Sequence, residues 1–287
     1  MDIEVLGTLA VREHGVSITP TAPKPRQVLA LLALHADQVV PVSALIEELW
    51  AGAPPRSART TLQTYVLQLR ALIATALEQG AAAEDGECPE GAAGAAERRT
   101  AKDVLVTLPG GYLLNSGGGT SDVREFDRLA GMGYRAMDGG DFPGAARLLR
   151  EALSLWSGPA FADVHGGIQL DMETRRLEET RLCALDQRIE ADLRLGRHRE
   201  LLAELTVLAS RYRTHENLHG QFMLALHRSG RRGEALDVYQ RLRATLVREL
   251  GLEPSAALRR LQRSILMASP ESPVVAETNS EQLVRVA

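Results

Sequence analysis

The chain has 287 residues, of which 45% are hydrophobic, and a formal net charge of −4; that is enough apolar material and length for two folded cores. No stretch approaches the roughly 18 uninterrupted apolar residues of a membrane span, and Asp2 and Glu4 stand where a secretory leader would be basic, so no membrane association and a cytoplasmic location are expected. Cys88 and Cys183 lie far apart, which argues against a disulfide framework or a thiolate metal site, and neither Lys24 nor Lys102 follows a glycine, which excludes a Walker phosphate loop.

In chain order, short alternating patterns at Ile3–Gly7, Leu9–Arg12 and Val16–Ile18, punctuated by Gly7 and by Glu13-His14-Gly15, predict small antiparallel strands. From Lys24 the period becomes helical. Val28, Leu29, Leu32 and Leu34 mark a first helix, and Ala44, Leu45, Ile46 and Leu49 a shorter second one ending near Trp50. Ala51-Gly52-Ala53-Pro54-Pro55 must be a loop, because its prolines cannot sit inside a helix. Ser57 then suits the N-cap of a third helix whose apolar face is Leu62, Tyr65, Val66, Leu69, Leu72 and Ile73.

Residues 78–99 are Ala/Gly/Glu-rich and read as a mobile insertion. The first 120 residues hold nine Lys and Arg against thirteen Asp and Glu; six of those acids lie between Glu78 and Glu97, and without them the balance is +2. Order resumes with a strand at Val104–Thr107, the tight turn Leu108-Pro109-Gly110-Gly111, and a strand at Tyr112–Leu114. The linker Asn115–Ser121, with three successive glycines, predicts separate cores on its two sides.

Helical periodicity then runs to about Met267. Gly196-Arg197-His198-Arg199-Glu200-Leu201-Leu202 recurs 34 residues later as Gly230-Arg231-Arg232-Gly233-Glu234-Ala235-Leu236, which is the tetratricopeptide spacing, and Gly140-Asp141-Phe142-Pro143-Gly144-Ala145-Ala146 reads as a degenerate copy. A loop at Ser157–Gly167 and a long helix at Asp171–Leu195 separate that copy from the second. A last helix at Ser255–Met267 is expected to cap the stack, and the tail 269–287 is expected to be disordered.

Strands, three helices with a Pro-containing loop between the second and third, and a terminal hairpin ending in Pro-Gly-Gly-Tyr, followed by tetratricopeptide-like helices, resemble the SARP family of transcriptional activators. The residues carrying the resemblance are Ala22-Pro23-Lys24-Pro25-Arg26, Leu49-Trp50, Pro54-Pro55, Leu69-Arg70, Pro109-Gly110-Gly111-Tyr112, Leu155-Trp156-Ser157-Gly158-Pro159, Arg188–Leu193 and Glu249-Leu250-Gly251-Leu252-Glu253-Pro254. The fold expected is therefore an α+β OmpR-type winged helix-turn-helix over residues 1–115, then an all-α tetratricopeptide-like bacterial transcriptional activation domain over 122–268.

The resemblance implies binding to double-stranded promoter DNA at direct repeats by two or more protomers, recruitment of RNA polymerase holoenzyme, and control of secondary-metabolite (antibiotic) biosynthesis. The third helix would read bases. Its outer face, Thr60, Gln63, Thr64, Leu67 and Gln68, has no cation, so Gln63 or Gln68 would pair with adenine edges and Leu67 or the threonine methyls would touch thymine methyls. Ser57, Arg56 and Arg59 at its start, Lys24 and Arg26 at the first helix, and Thr107 in the wing are the remaining DNA-contact candidates. The loop Trp50, Ala51, Gly52, Ala53, Pro54, Pro55 is where the resemblance places the polymerase contact. Arg70 either covers the core edge or pairs locally.

Two other readings compete. A tetratricopeptide adaptor without DNA recognition would suit the acidic first domain. His215-Glu216-Asn217-Leu218-His219 fits the H-E-x-x-H zinc-hydrolase signature, but Phe222 stands where the metzincin extension needs glycine, and the segment opens a helix of the repeat. The chain is thus read as non-catalytic, with no cofactor and no resident metal.

Overall fold

The computed structural model describes residues 1–84 and 99–267, arranged in two compact units that divide between Leu195 and Gly196. Most of the acidic insertion and the tail expected to be disordered lie outside the described residues.

The first unit opens with a three-stranded antiparallel sheet, β1 (Asp2–Glu4), β2 (Ala10–Glu13) and β3 (Val16–Ser17), in which Ile3 faces Val11 and Glu13 faces Val16. The β2–β3 turn is His14-Gly15, both at positive φ (49° and 77°), the two-residue turn whose twist matches that of the strands. α1 (Pro23–Leu34) has Pro in its first turn, where no amide partner is lost, and buries Val28, Leu29, Leu31 and Leu32. α2 (Val42–Trp50) and α3 (Ala58–Glu84) follow. The carbonyl of Ser57 accepts the first helical bond of α3 from Thr61, as an N-cap residue does. α3 continues as helix to Glu84, so residues 78–84, expected to belong to a mobile insertion, extend the helix instead: Ala, Glu and Gln are strong helix formers and here prolong an existing helix rather than nucleate one.

The second sheet has the order β4-β6-β5, all antiparallel. Its hairpin, β5 (Leu105–Leu108) and β6 (Gly111–Leu114), was legible; β4 (Val39–Pro41), only three residues long, was not. A Cβ on Gly111 would lie 2.6 Å from the carbonyl oxygen of Val40, so the β4–β6 approach requires glycine there. A one-turn helix, α4 (Ala101–Val104), precedes β5 and is held by a capping box between Thr100 and Asp103.

Three helices complete the unit: α5 (Asp122–Asp138), α6 (Phe142–Ser154) and α7 (Ile168–Arg194). They do not form a separate core. One continuous apolar cluster joins Ile3, Leu6, Val28 and Leu45 to Phe126, Leu149, Trp156, Phe161 and Leu177. The glycine-rich segment expected to separate two cores is fastened down at several points. The Ile3 N–H donates to the Thr120 carbonyl at 3.0 Å. Ser116 donates its N–H and its hydroxyl to Asp37, each at 2.7 Å. Asp122 receives the N–H groups of Val5 (2.6 Å) and Leu6 (2.7 Å). The Ser157, Phe161 and Ala162 N–H groups in turn bond the carbonyls of Leu6, Val5 and Gly7.

The second unit consists of α8 (His198–Arg211), α9 (Glu216–Arg228), α10 (Arg232–Leu250) and α11 (Ala256–Met267), with Leu205, Leu218, Met223, Leu226, Val238, Leu242 and Ile265 buried. The three glycines that defined the repeat, Gly140, Gly196 and Gly230, each take a left-handed conformation (φ 75°, 79° and 82°) just after a helix. The sequence repeat is thus a repeat of helix stops, made where a side chain would be strained.

Candidate nucleic-acid interface

α3 carries two opposite faces because its apolar residues recur at helical spacing. Leu62, Val66, Leu69, Ile73 and Ala76 are buried, while Arg59, Thr60, Gln63, Thr64, Leu67 and Gln68 are exposed. Leu67 is 63% exposed on this otherwise polar face, an apolar group well suited to a thymine methyl. Thr64 donates its hydroxyl to the Thr60 carbonyl at 3.1 Å. No acid occurs from Ala51 to Leu77, whereas Arg56, Arg59 and Arg70 do; this segment, which includes the first twenty residues of α3, therefore carries net positive charge on a chain that is negative overall. Arg56 and Arg59 are exposed and pair with no carboxylate among the described residues. They stand at the end of α3 where its free N–H groups favour a phosphate.

The wing is fixed to this helix by Arg70. Its guanidinium donates to the Leu105 carbonyl (3.1 Å from Nε, 2.6 Å from Nη2) and to Thr107 Oγ1 (2.8 Å). Of its two expected roles, Arg70 takes the local pairing, and it sets the wing's Thr107, which remains exposed, against the middle of α3.

Two expected phosphate ligands are engaged elsewhere. Lys24 Nζ donates to the Leu49 carbonyl (2.7 Å) and to Gln27 (3.1 Å), so it neutralises the carbonyl end of α2. Arg26 binds the carbonyls of Pro20 (3.3 Å) and Leu9 (3.4 Å) and forms an ion pair with Asp163. The structure thus groups Arg56, Ser57, Arg59, Thr60, Gln63, Thr64, Leu67, Gln68 and Thr107, while the exposed Lys24 and the half-buried Arg26 already hold partners within the fold. The physical reason is that the Leu49 carbonyl lies within reach of Lys24, and the Pro20 and Leu9 carbonyls and the Asp163 carboxylate within reach of Arg26.

The α2–α3 loop is exposed from Ala51 to Pro55, and the half-buried Trp50 packs against the core. Ala51 (φ 47°) and Gly52 (φ 85°) are both left-handed, which turns the chain sharply away from α2. With Val42, Ile46 and Glu47 of α2 and Arg59 of α3, the loop borders a groove of about 520 Å³.

Sequence reasoning missed the carboxylates that join the winged helix to α5–α7. Glu48 is 1% exposed. It receives the N–H groups of Gly167, Gln169 (2.9 Å) and Leu170 (3.1 Å) at the start of α7, and Gln27 Nε2 at 2.8 Å. Burial raises the Asp37 carboxyl, but hydrogen bonds from the Ser116 N–H and hydroxyl and from Arg124 outweigh it and leave its pKa below the ordinary carboxylate value. At Asp122, burial prevails over the Leu6 and Val5 N–H bonds and raises the pKa. One signal for Glu48 was present in the sequence: it lies four residues after Ala44 and three after Leu45, on the same face of α2.

The H-E-x-x-H residues have structural surroundings. His215 is the N-cap of α9 and accepts the Leu218 N–H through Nδ1 (3.3 Å), Glu216 accepts the Ser255 N–H (2.7 Å), and His219 is buried. Among the described residues no three His, Cys, Asp or Glu side chains cluster as a metal site would need.

Residues 121–266 match the bacterial transcriptional activator domain, and residues 17–82 match the C-terminal domain of transcriptional regulatory proteins. Regulatory protein DnrI of Streptomyces peucetius is 52% identical over 270 residues, covering 94% of this chain and 93% of that protein. The chain belongs to the SARP family of transcriptional activators. This SARP protein is also 34% identical to regulatory protein AfsR of Streptomyces coelicolor over 284 residues, 97% of this chain but only 26% of AfsR. The structure of Mycobacterium tuberculosis EmbR in complex with a low-affinity phosphopeptide superposes with a TM-score of 0.78 at 31% identity, over 92% of this chain and 64% of that one. The family identifies the SARP protein as a DNA-binding transcriptional activator. Among the described residues no helix is long and apolar enough to cross a membrane.

Proposed function

We propose that this activator works in the cytoplasm, without catalysis, at promoters of a secondary-metabolite (antibiotic) gene cluster. Two or more protomers bind direct repeats there and recruit RNA polymerase holoenzyme. The observation that carries the reading is the outer face of α3 from Thr60 to Gln68, which holds no acid, with Gln63, Leu67 and Gln68 exposed and two arginines at its start, Arg56 and Arg59, that pair with no carboxylate among the described residues. Gln63 and Gln68 supply the amides that recognise adenine, the arginines hold the flanking phosphates, and Thr107 approaches the backbone from the wing. The Trp50–Pro55 loop, with its groove beside α2, is offered to polymerase.

Footprinting across the genome tests this reading. It predicts protected sites in tandem, same-strand orientation upstream of biosynthetic promoters. Inverted half-sites, or no specific protection at low salt, would overturn it, and the latter would favour the adaptor reading.

A further inference from the structure

Charge is divided unevenly along this chain. From Gly196 to Met267 there are thirteen arginines and seven acids, whereas residues 1–195 hold nineteen Lys and Arg and twenty-seven acids. The helical second unit thus has a surplus of six positive charges on a chain whose net charge is −4. A polyanion is drawn to a surface of the first kind and repelled by one of the second. No lysine occurs from Gly196 to Met267. The cations there are guanidinium groups, which stay charged at physiological pH and grip phosphate oxygens in pairs.

Several of these arginines are engaged by acids of the same unit. Arg213 and Arg248 meet Glu249 (3.0 and 3.1 Å), Arg231 meets Glu234 (2.6 Å) and Arg243 meets Glu253 (2.7 Å). α11 is different, because its twelve residues include Arg259, Arg260 and Arg263 and no acid. Leu258 and Ile265 are buried and Leu261 is half-buried, while all three arginines are exposed. With about 100° of rotation per residue, the arginines fall within one arc on the side of the helix opposite those three apolar residues. Arg259 is close enough to act on Glu253, which Arg243 already binds. Arg260 and Arg263 bond to no group among the described residues.

We propose that the outer face of α11 holds the phosphate backbone of duplex DNA through Arg260 and Arg263, with Arg259 beside them, without reading its sequence. Residues three apart are neighbours on a helix surface, so the two guanidinium groups can engage phosphates of the same strand. The observations favour DNA over an acidic protein. The chain is a DNA-binding activator, so a duplex held by one unit is present at high effective concentration for the other. Under that condition the modest contacts of solvated arginines suffice, and the positive surplus offsets the repulsion that the acid-rich residues 1–195 exert on the same polyanion.

Titrating the full chain with a random-sequence duplex over a range of salt tests this, and the outcome does not depend on base reading by α3. Arg260→Gln/Arg263→Gln should keep the melting temperature of the wild type and flatten the slope of log affinity against log salt by about 1.8, the share of two phosphates. Arg231→Gln/Arg243→Gln removes the same charge from arginines already bound to acids, and should flatten the slope by less than half as much. An unchanged slope in the first variant overturns the proposal. Equal flattening by both variants overturns it as well, because the effect would then be one of net charge alone. So does a first variant that binds DNA like the wild type but loses activation in a purified transcription assay, which would put an acidic protein surface against α11.

Discussion

Two glycine-bearing junctions interrupt this chain, and they behave oppositely. Asn115–Ser121 has three successive glycines and looks like a flexible spacer, yet hydrogen bonds to Asp37, Ile3 and Met1 fasten it, and the apolar core continues across it. Gly196 is a single helix-stop glycine, yet the boundary between the compact units falls there. Glycine content marks where backbone freedom or close approach is needed, not where cores separate. At Gly119 the need is close approach, since a Cβ would lie 1.9 Å from the Met1 carbonyl oxygen.

The largest expected effect comes from cutting at the two junctions. A fragment of residues 1–195 should unfold cooperatively and bind cognate DNA, whereas residues 1–115 should lack a sharp thermal transition, because removing α5–α7 strips the cover from Val5, Leu6 and Leu45. Circular dichroism melts and gel shifts on the two fragments compare them directly. A well-folded 1–115 that bound as tightly as 1–195 would restore the separate-core reading.

Next in size is Glu48→Ala, which leaves the start of α7 and the Gln27 amide without their buried acceptor. It should destabilise by about 3 to 5 kcal/mol, in line with breaking a buried charged network. Denaturant melts of the full chain measure it, and a loss under about 1 kcal/mol would mean that water or backbone bonds replace the carboxylate.

On the DNA side, Gln63→Ala and Gln68→Ala should each cost about 1 to 3 kcal/mol on cognate DNA and little on random sequence. Equal losses on both DNAs would remove these side chains from base recognition. The smallest effect is at Asp37. Its folded pKa is depressed, so its stabilisation is complete above the unfolded value near 3.8 and is lost as pH falls through the folded value. Melting wild type and Asp37→Asn from neutral to acid pH should therefore show a gap that narrows as the pH falls. A constant gap would place the stabilisation in shape rather than charge.

Much of the architecture was written in local patterns. The 3.6-residue spacing from Val28 to Ile73, the Pro109-Gly110 turn and the 34-residue glycine repeat each encode an element through neighbours in sequence. β4 was hidden because three residues give no periodicity, and its pairing with β6 depends on Gly111, some seventy positions away. The outer face of α3 was legible from the same periodicity that defined its inner face. The fates of Lys24 and Arg26 were not, since they depend on Leu49, Pro20, Leu9 and Asp163 arriving in space. Counting cations could not separate those that hold the fold from those that meet DNA.

That separation is tested most directly by the salt dependence of DNA affinity in Arg56→Ala and Arg26→Ala, measured on cognate and random duplexes. Arg56→Ala should weaken both and flatten the slope of log affinity against log salt by about 0.9, the share of one phosphate. Arg26→Ala should lower the melting temperature and leave the slope unchanged, because its guanidinium is bound to Asp163 and backbone carbonyls. An unchanged slope for Arg56→Ala, or a flattened one for Arg26→Ala, would contradict the account of which surface meets DNA.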